Sequence, residues 1–387
     1  MTIRPIWDGL PRRDVVRKCL SEVRRIYTVE STLEIQSTLS PSIPAIPVPH
    51  PFSSWRRRQG YMGEGSLPTR TKDNTRAAAK MTRTDVEFKT SDNVTLRGWF
   101  FTPSNVSSGT KLPCMILTHG LSCIKEMGLD HVASKYVSDL AVSCLVYDHR
   151  GFGASDTASH APRQEVNTWL QANDTRDAVT YVQTREDVDK SKIGVWGYSL
   201  SAIHAVYVGA IDRRVKAVVA LGPGMDGTEI CKRLAAPHAL NAMQGLFEMD
   251  RLARAKGEEP IRVPVISAEG GQCVLPSPES TAFFGRWVGK DDERGWRNEL
   301  TLRSLDDVST YSTAMAHLEN LCPTPVFFGV ASRDTNSPAD MVMRQYNKLS
   351  EPKEYAIVDA DHYELMGKAR DVLHPKEVAF LKKWLSL

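Results

Sequence analysis

The run Gly197-Tyr198-Ser199-Leu200-Ser201 follows directly on the apolar stretch Lys192-Ile193-Gly194-Val195-Trp196. A serine between small residues, where a strand turns sharply into a helix, projects its hydroxyl above the end of the sheet, and the tight turn leaves no room for large flanking side chains. Gly197 and Tyr198 form the near side of that turn. The fifth position is Ser201 where glycine is usual, and the expectation is that the turn survives with slightly looser packing. A serine hydroxyl is a weak nucleophile unless a base takes its proton and an acid orients the base. After a nucleophile on such a turn, the acid and then the base follow in chain order, just past strand ends. Val326–Val330 runs into Ala331-Ser332-Arg333-Asp334, and Tyr355–Val358 runs into Asp359-Ala360-Asp361-His362. Ser199 as nucleophile, His362 as base and Asp334 as acid is the reading these positions support, with Asp359 or Asp361 as alternative acids.

Attack on a carbonyl builds negative charge on its oxygen, which needs two fixed N–H donors. One is expected from the backbone of Leu200, next to the nucleophile. The other is expected from Leu121, in the loop Leu117-Thr118-His119-Gly120-Leu121, where Gly120 permits a tight path and the ring of His119 braces the loop rather than acting as a base. Tyr147-Asp148-His149-Arg150-Gly151-Phe152-Gly153-Ala154-Ser155-Asp156 reads as turn chemistry with an Asp/Arg brace, not as a phosphate cradle. The constellation calls for no cofactor. His131, His160, His204, His238, His317 and His374 lack the close spacing of zinc ligands, so no metal is expected.

These residues need a scaffold that presents several strand ends on one side. From Met81 the pattern alternates. Asp85–Thr90 and Val94–Thr102 read as a hairpin around a Ser-Asp-Asn turn, and Pro113–Thr118, Ser143–Tyr147, Ile193–Gly197, Val215–Leu221, Pro325–Val330 and Glu354–Val358 as strands separated by helical sequence. The last helix is expected over Pro375–Leu385. Alternation of this kind predicts an α/β fold: a mostly parallel sheet with helices on both faces. Between Met225 and Leu321 the alternation breaks. Helical stretches (Thr228–Phe247, Ala314–Asn320) sit beside a charged Glu248–Arg262 section and loops rich in Gly, Pro and Ser. A segment that long is more than a connection. The expected organisation is a core of residues 81–224 and 322–387 with a mainly helical lid over 225–321, in which Met243, Phe247, Met249 and Met315 are candidates to line an acyl pocket.

Composition narrows the classes. The 387 residues carry a net charge of +3, 41% hydrophobic and 25% charged residues, which is ordinary for a globular chain. The charge is uneven. Residues 1–80 hold 14 Lys and Arg against 7 Asp and Glu, leaving the remainder net acidic, so no nucleic-acid partner is expected. That first segment has a possible mixed-charge helix from Arg12 to Glu34, a proline run from Pro41 to Pro51 and the basic cluster Trp55-Arg56-Arg57-Arg58, and is expected to be a poorly ordered, Pro-rich basic extension; Met81 would suit the start of a shorter protein. No apolar run suits a membrane span, and Met1-Thr2-Ile3-Arg4-Pro5 opens no secretory signal. Seven scattered cysteines without a C-x-x-C pair argue against a disulfide framework, and the expected compartment is the cytoplasm. The terminal Leu385-Ser386-Leu387 is not a peroxisomal signal.

The residues over about 82–387 resemble the α/β-hydrolase superfamily. The segments Asp85–Phe88, Leu96–Phe100, Cys123–Met127, Gly194–Gly197 and Thr301–Ser304 are similar to fungal hydrolases and polyketide transferases of secondary-metabolite clusters, and more distantly to dienelactone hydrolases and Xaa-Pro dipeptidyl peptidases. The resemblance implies Ser199, Asp334 and His362 as a triad, and an enzyme that hydrolyses or transfers a small-molecule acyl group, polyketide in type, through an acyl-enzyme formed from an ester or a thioester on a synthase carrier domain. Alternatives within the same triad are C–C bond hydrolysis, Dieckmann-type cyclisation, and peptidase or esterase activity. A non-catalytic ligand-binding fold is the alternative from another class. Oligomeric state is left open.

Overall fold

The computed structural model describes residues 81–234, 237–290, 295–312 and 317–387. The expectations for Arg12–Glu34, the proline run, the Trp55–Arg58 cluster and Met315 fall outside these residues.

A hairpin opens the fold. β1 (Met81–Lys89) pairs antiparallel with β2 (Thr95–Pro103), with Asn93 at positive φ in the turn. β3 (Leu112–Thr118), α1 (Leu129–Leu140), β4 (Ser143–Tyr147), α2 (Thr168–Thr184), β5 (Val188–Tyr198), α3 (Leu200–Ile211) and β6 (Val215–Leu221) follow in strict alternation. After the 225–321 segment come β9 (Val326–Ala331), α8 (Ala339–Tyr346), β10 (Lys353–Val358) and α9 (Arg370–Trp384). The eight strands lie in the order β1-β2-β4-β3-β5-β6-β9-β10, antiparallel at β1–β2–β4 and parallel from β4 onward.

Alternation along each strand splits the core in two. Ile193, Val195, Val218, Ala220, Val326 and Phe328 point to the face covered by α2, α3 and α8. Trp196, Tyr198, Val219, Leu221 and Phe327 point to the face covered by α1 and α9. Central parallel strands buried on both faces read as continuous apolar runs, which is why Ser143–Tyr147 and Val215–Leu221 have the ends expected from sequence.

Residues 225–321 carry α4 (Gly227–Leu234), α5 (Pro237–Ala255), α6 (Pro278–Phe284), α7 (Leu302–Thr310) and a two-stranded antiparallel pair of β7 (Arg262–Val263) with β8 (Leu300–Thr301). Helix α5 runs past Phe247, where the sequence reading ended the helical stretch, into the charged section. Phe247 and Asp250 are buried, and Asp250 is held by Arg254 at 2.8 Å and by the Ile261 N–H at 2.9 Å, so the charged residues beyond Phe247 still have an inward face. The similar motif Thr301-Leu302-Arg303-Ser304 anchors the segment. The Ser304 hydroxyl accepts from the Val166 N–H, the Thr301 N–H donates to Gln164 O, and Asp307 accepts from the Thr168 N–H and hydroxyl at the start of α2.

The last helix starts five residues before the sequence expectation, with Pro375 inside it. Proline there removes one intrahelical hydrogen bond. What holds the extra turn is buried charge: Arg370 donates to both oxygens of Glu377, at 2.6 and 3.0 Å, and the Tyr136 hydroxyl of α1 donates to the same carboxylate. All three side chains are buried, and burial pushes the Tyr136 phenol well above its ordinary pKa. Removing one partner of such a pair strands a charge in the core. Arg370→Met is expected to cost about 3–5 kcal/mol, read as a lowered denaturant midpoint, with Arg370→Met/Glu377→Leu recovering most of it.

Candidate active site

Every strand from β3 to β10 in the parallel part ends on the same side, so the loops after β3, β5, β6, β9 and β10 converge there. Ser199 stands between the end of β5 and the first residue of α3 with φ 58° and ψ −120°. This is a left-handed backbone that side chains other than glycine avoid. Neighbours hold it. The Ser199 N–H donates to Leu221 O of β6 at 2.8 Å, and the Ala202 N–H donates to Ser199 O at 3.0 Å. The turn is tight enough that a Cβ on Gly197 would lie 2.1 Å from Ser201 O, and a Cβ on Gly120 would lie 2.9 Å from the Ser199 Cβ. Glycine is needed at both positions for steric reasons.

The structure brings Ser199, His362 and Asp334 together. Ser199 Oγ lies 2.9 Å from His362 Nε2, and His362 Nδ1 lies 2.7 Å from Asp334 Oδ2. The second oxygen of Asp334 accepts from the Asn336 and Ser337 N–H groups at 2.9 and 2.7 Å, so the carboxylate is fixed by an Asx turn of its own loop. His362 and Asp334 are buried, while Ser199 is partly exposed to the cleft. The Tyr198 hydroxyl donates to His362 O at 3.1 Å. Of the two other carboxylates weighed, Asp359 pairs on the surface with Arg333, and Asp361 accepts from the Tyr363 and Glu364 N–H groups. Neither is paired with the imidazole.

Leu121 and Leu200 both border the cleft above Ser199. The Leu200 N–H belongs to the first turn of α3, whose amides have no partner within the helix. The cleft is open to solvent at its mouth and encloses a volume of about 100 Å³. Its walls are mainly apolar. The core gives Leu121, Cys123, Leu200 and Ile203; the 225–321 segment gives Ile230, Leu275, Phe284, Val308 and Tyr311. Of the sulfur and aromatic candidates for this wall, Met243, Phe247 and Met249 do not border it.

Beneath the cleft lies a group of buried imidazoles whose arrangement the sequence left unread. His119 Nδ1 donates to Gly120 O at 3.1 Å, and its Nε2 accepts from the His149 N–H at 3.1 Å, so the ring braces the loop. Because Nε2 receives a backbone N–H, the ring must be neutral. Burial lowers its pKa to about 4. His204 Nδ1 faces the Tyr311 hydroxyl at 3.1 Å, and burial lowers this imidazole to about 3. His149 is pushed well below the ordinary value by burial and by its neighbours His119 and His204. The glycine-rich loop is indeed a brace. Asp148 accepts from Lys125 Nζ at 2.6 Å and from the Ala154 N–H, and Arg150 bridges Asp174 and Asp92. Tyr363 is the other contact not foreseen: its hydroxyl donates to Ser280 of α6 at 2.8 Å and its ring stacks on Phe283, joining the His362 loop to the 225–321 segment. The aromatic residue next to His362 was the available signal.

Residues 113–369 match the family model of the alpha/beta hydrolase fold, and the chain belongs to that family. Within it the chain resembles fungal polyketide transferases. It is 27% identical over 316 residues to the polyketide transferase grgF of Penicillium sp, covering 80% of this chain and 99% of the relative. It is 29% identical over 306 residues to a thiohydrolase of Eupenicillium brefeldianum, covering 78% and 94%. The crystal structure of the alpha/beta hydrolase GrgF from Penicillium sp. sh18 matches with a TM-score of 0.67 at 26% identity, over 79% of this chain and all of that one. No helix among the described residues is long and apolar enough to cross a membrane.

Two outcomes are expected. Gly120→Ala forces the β3 loop away from Ser199, and displacements of this kind cost on the order of 10²-fold in rate; turnover of an activated ester with unchanged far-UV circular dichroism is the measurement. Stability should follow the buried imidazoles. Their folded-state pKa values lie below the ordinary 6.5, so the unfolded chain takes up protons first as the pH falls. The contribution is whole above pH 6.5 and is lost from there down to about 4 for His119 and about 3 for His204. A plot of unfolding midpoint against pH, with a shallower acid limb in His204→Gln, checks it.

Proposed function

We propose that the protein is a serine-dependent acyl hydrolase or acyltransferase working through an acyl-enzyme. The observation that carries this is the strained Ser199, its hydroxyl within 2.9 Å of His362 Nε2 and facing an apolar cleft. Ser199 Oγ attacks the acyl carbonyl as His362 Nε2 takes its proton. Asp334 keeps the proton of His362 on Nδ1 and stabilises the imidazolium. The Leu121 and Leu200 amides receive the oxyanion. Collapse expels the alcohol or thiol, which leaves with the proton from His362. Water or an acceptor alcohol then attacks the acyl-enzyme by the same steps in reverse order.

The names of the relatives, polyketide transferase and thiohydrolase, favour a polyketide-type acyl group as substrate, delivered as a thioester from a synthase carrier domain. The apolar walls of the cleft suit such a chain. Residues 225–321 act as a lid in this reading, since they supply much of the wall and are tied to the His362 loop through Tyr363. The core is then 81–224 with 322–387.

A fluorophosphonate should form a single adduct on Ser199, seen by mass spectrometry. Ser199→Ala should lose the adduct and at least about 10³-fold of thioester turnover while keeping its fold. Full turnover by that variant rules the reading out.

A further inference from the structure

The two expected oxyanion donors sit on different segments, Leu121 in the loop after β3 and Leu200 at the head of α3. Their separation must be held to a fraction of an ångström for the pair to grip one oxygen. Ser201 spans this gap. Its hydroxyl donates to the carbonyl of His119, two residues before Leu121, while its own backbone directly follows Leu200. Because that single proton is committed to His119 O, the 2.7 Å contact between Ser201 Oγ and His149 Nε2 is made by an N–H of the imidazole. His149 Nδ1, left unprotonated, is buried without a hydrogen-bond partner. The circuit closes through the His149 backbone N–H, which donates to His119 Nε2. Ser201, His119 and His149 are all buried, at 1%, 3% and 2% exposure, so no water competes for these bonds.

We infer that Ser201 is a positioning residue for the oxyanion site, with its hydroxyl locking the β3 loop to the nucleophile turn and His149 orienting that hydroxyl. The inference rests on Ser199 being the nucleophile. It gives the departure from glycine at the fifth position of the turn a physical role. A glycine at 201 would remove the donor to His119 O and leave the His149 N–H without its acceptor. The loop would still be held by the β3–β5 pairing at Thr118, the Gly120 contact with Ser199 and the His119 brace, but it would lose the hydroxyl that ties the His119 carbonyl to the first turn of α3. A misplaced Leu121 amide weakens binding of the tetrahedral oxyanion without changing how the ground-state carbonyl enters.

The test uses Ser201→Ala in the full chain. Active sites are counted with a fluorophosphonate, and kcat and KM on a thiophenyl ester are expressed per titrated site. Affinities are measured for a trifluoromethyl ketone, whose adduct carries an oxyanion, and for the free carboxylic acid. The expected result is full titration, kcat per site lowered about 10–100-fold with KM within about 2-fold, ketone affinity lowered by the same factor as kcat, and acid affinity unchanged. His149→Phe, which deletes the ring N–H, should show a smaller loss of the same kind, and His149→Gln, which can restore a donor, should recover it. An unchanged kcat per titrated site in Ser201→Ala, or an unchanged ketone affinity, overturns the inference. Should Ser201→Ala fold poorly and titrate low, the Phe and Gln pair at 149 decides, and equal rates for the two overturn it. Absence of any adduct on native Ser199 would instead bring down the nucleophile assignment, so the two failures are told apart.

Discussion

The left-handed backbone at Ser199 is the constraint to which the surrounding structure answers. Such a conformation costs on the order of 1–3 kcal/mol and persists only where neighbours over-determine it. Here β6 supplies the carbonyl of Leu221, β5 supplies a glycine where any side chain would strike the first turn of α3, and the β3 loop passes close enough to demand a second glycine. All three strands are consecutive neighbours in the sheet, β3-β5-β6. The sheet order is thus what makes the turn possible, and the turn is what lifts one hydroxyl into the cleft.

Polar groups under the cleft are handled in two ways. Charged ones are paired: Lys125 with Asp148, and Arg150 with Asp174 and Asp92. Imidazoles are instead kept neutral by burial and by hydrogen bonds that only the neutral form can make, as when His119 accepts a backbone N–H.

The 225–321 segment meets the core through specific contacts. Thr301, Ser304 and Asp307 grip the loop before α2, and Ser280 and Phe283 grip Tyr363 beside His362. Phe284, Trp296 and Tyr311 join the same apolar cluster as α3. Packing of this segment is therefore coupled to the loop that carries His362, and the wall of the cleft and the position of that imidazole are not independent.

Much of the scaffold was legible without coordinates because buried parallel strands are apolar on both faces and announce their own ends, as Ser143–Tyr147 and Val215–Leu221 do. The small-residue turn around Ser199 and the strand-end placement of Asp334 and His362 were legible for the same reason: local sterics and local order determine them. Sequence favoured Asp334 but kept Asp359 and Asp361 as alternatives, for the three stand at two strand ends brought side by side only when β10 pairs with β9. It placed the start of the last helix at Pro375, because the Arg370–Glu377 pair that carries the helix past it depends on a tyrosine of α1, 241 residues away along the chain. The meaning of Ser201 was likewise hidden. A hydroxyl at that position looks like a tolerated substitute for glycine until the β3 loop and the β4 loop are folded against it, for hydrogen-bond partners are chosen by proximity in space, which only the tertiary structure decides.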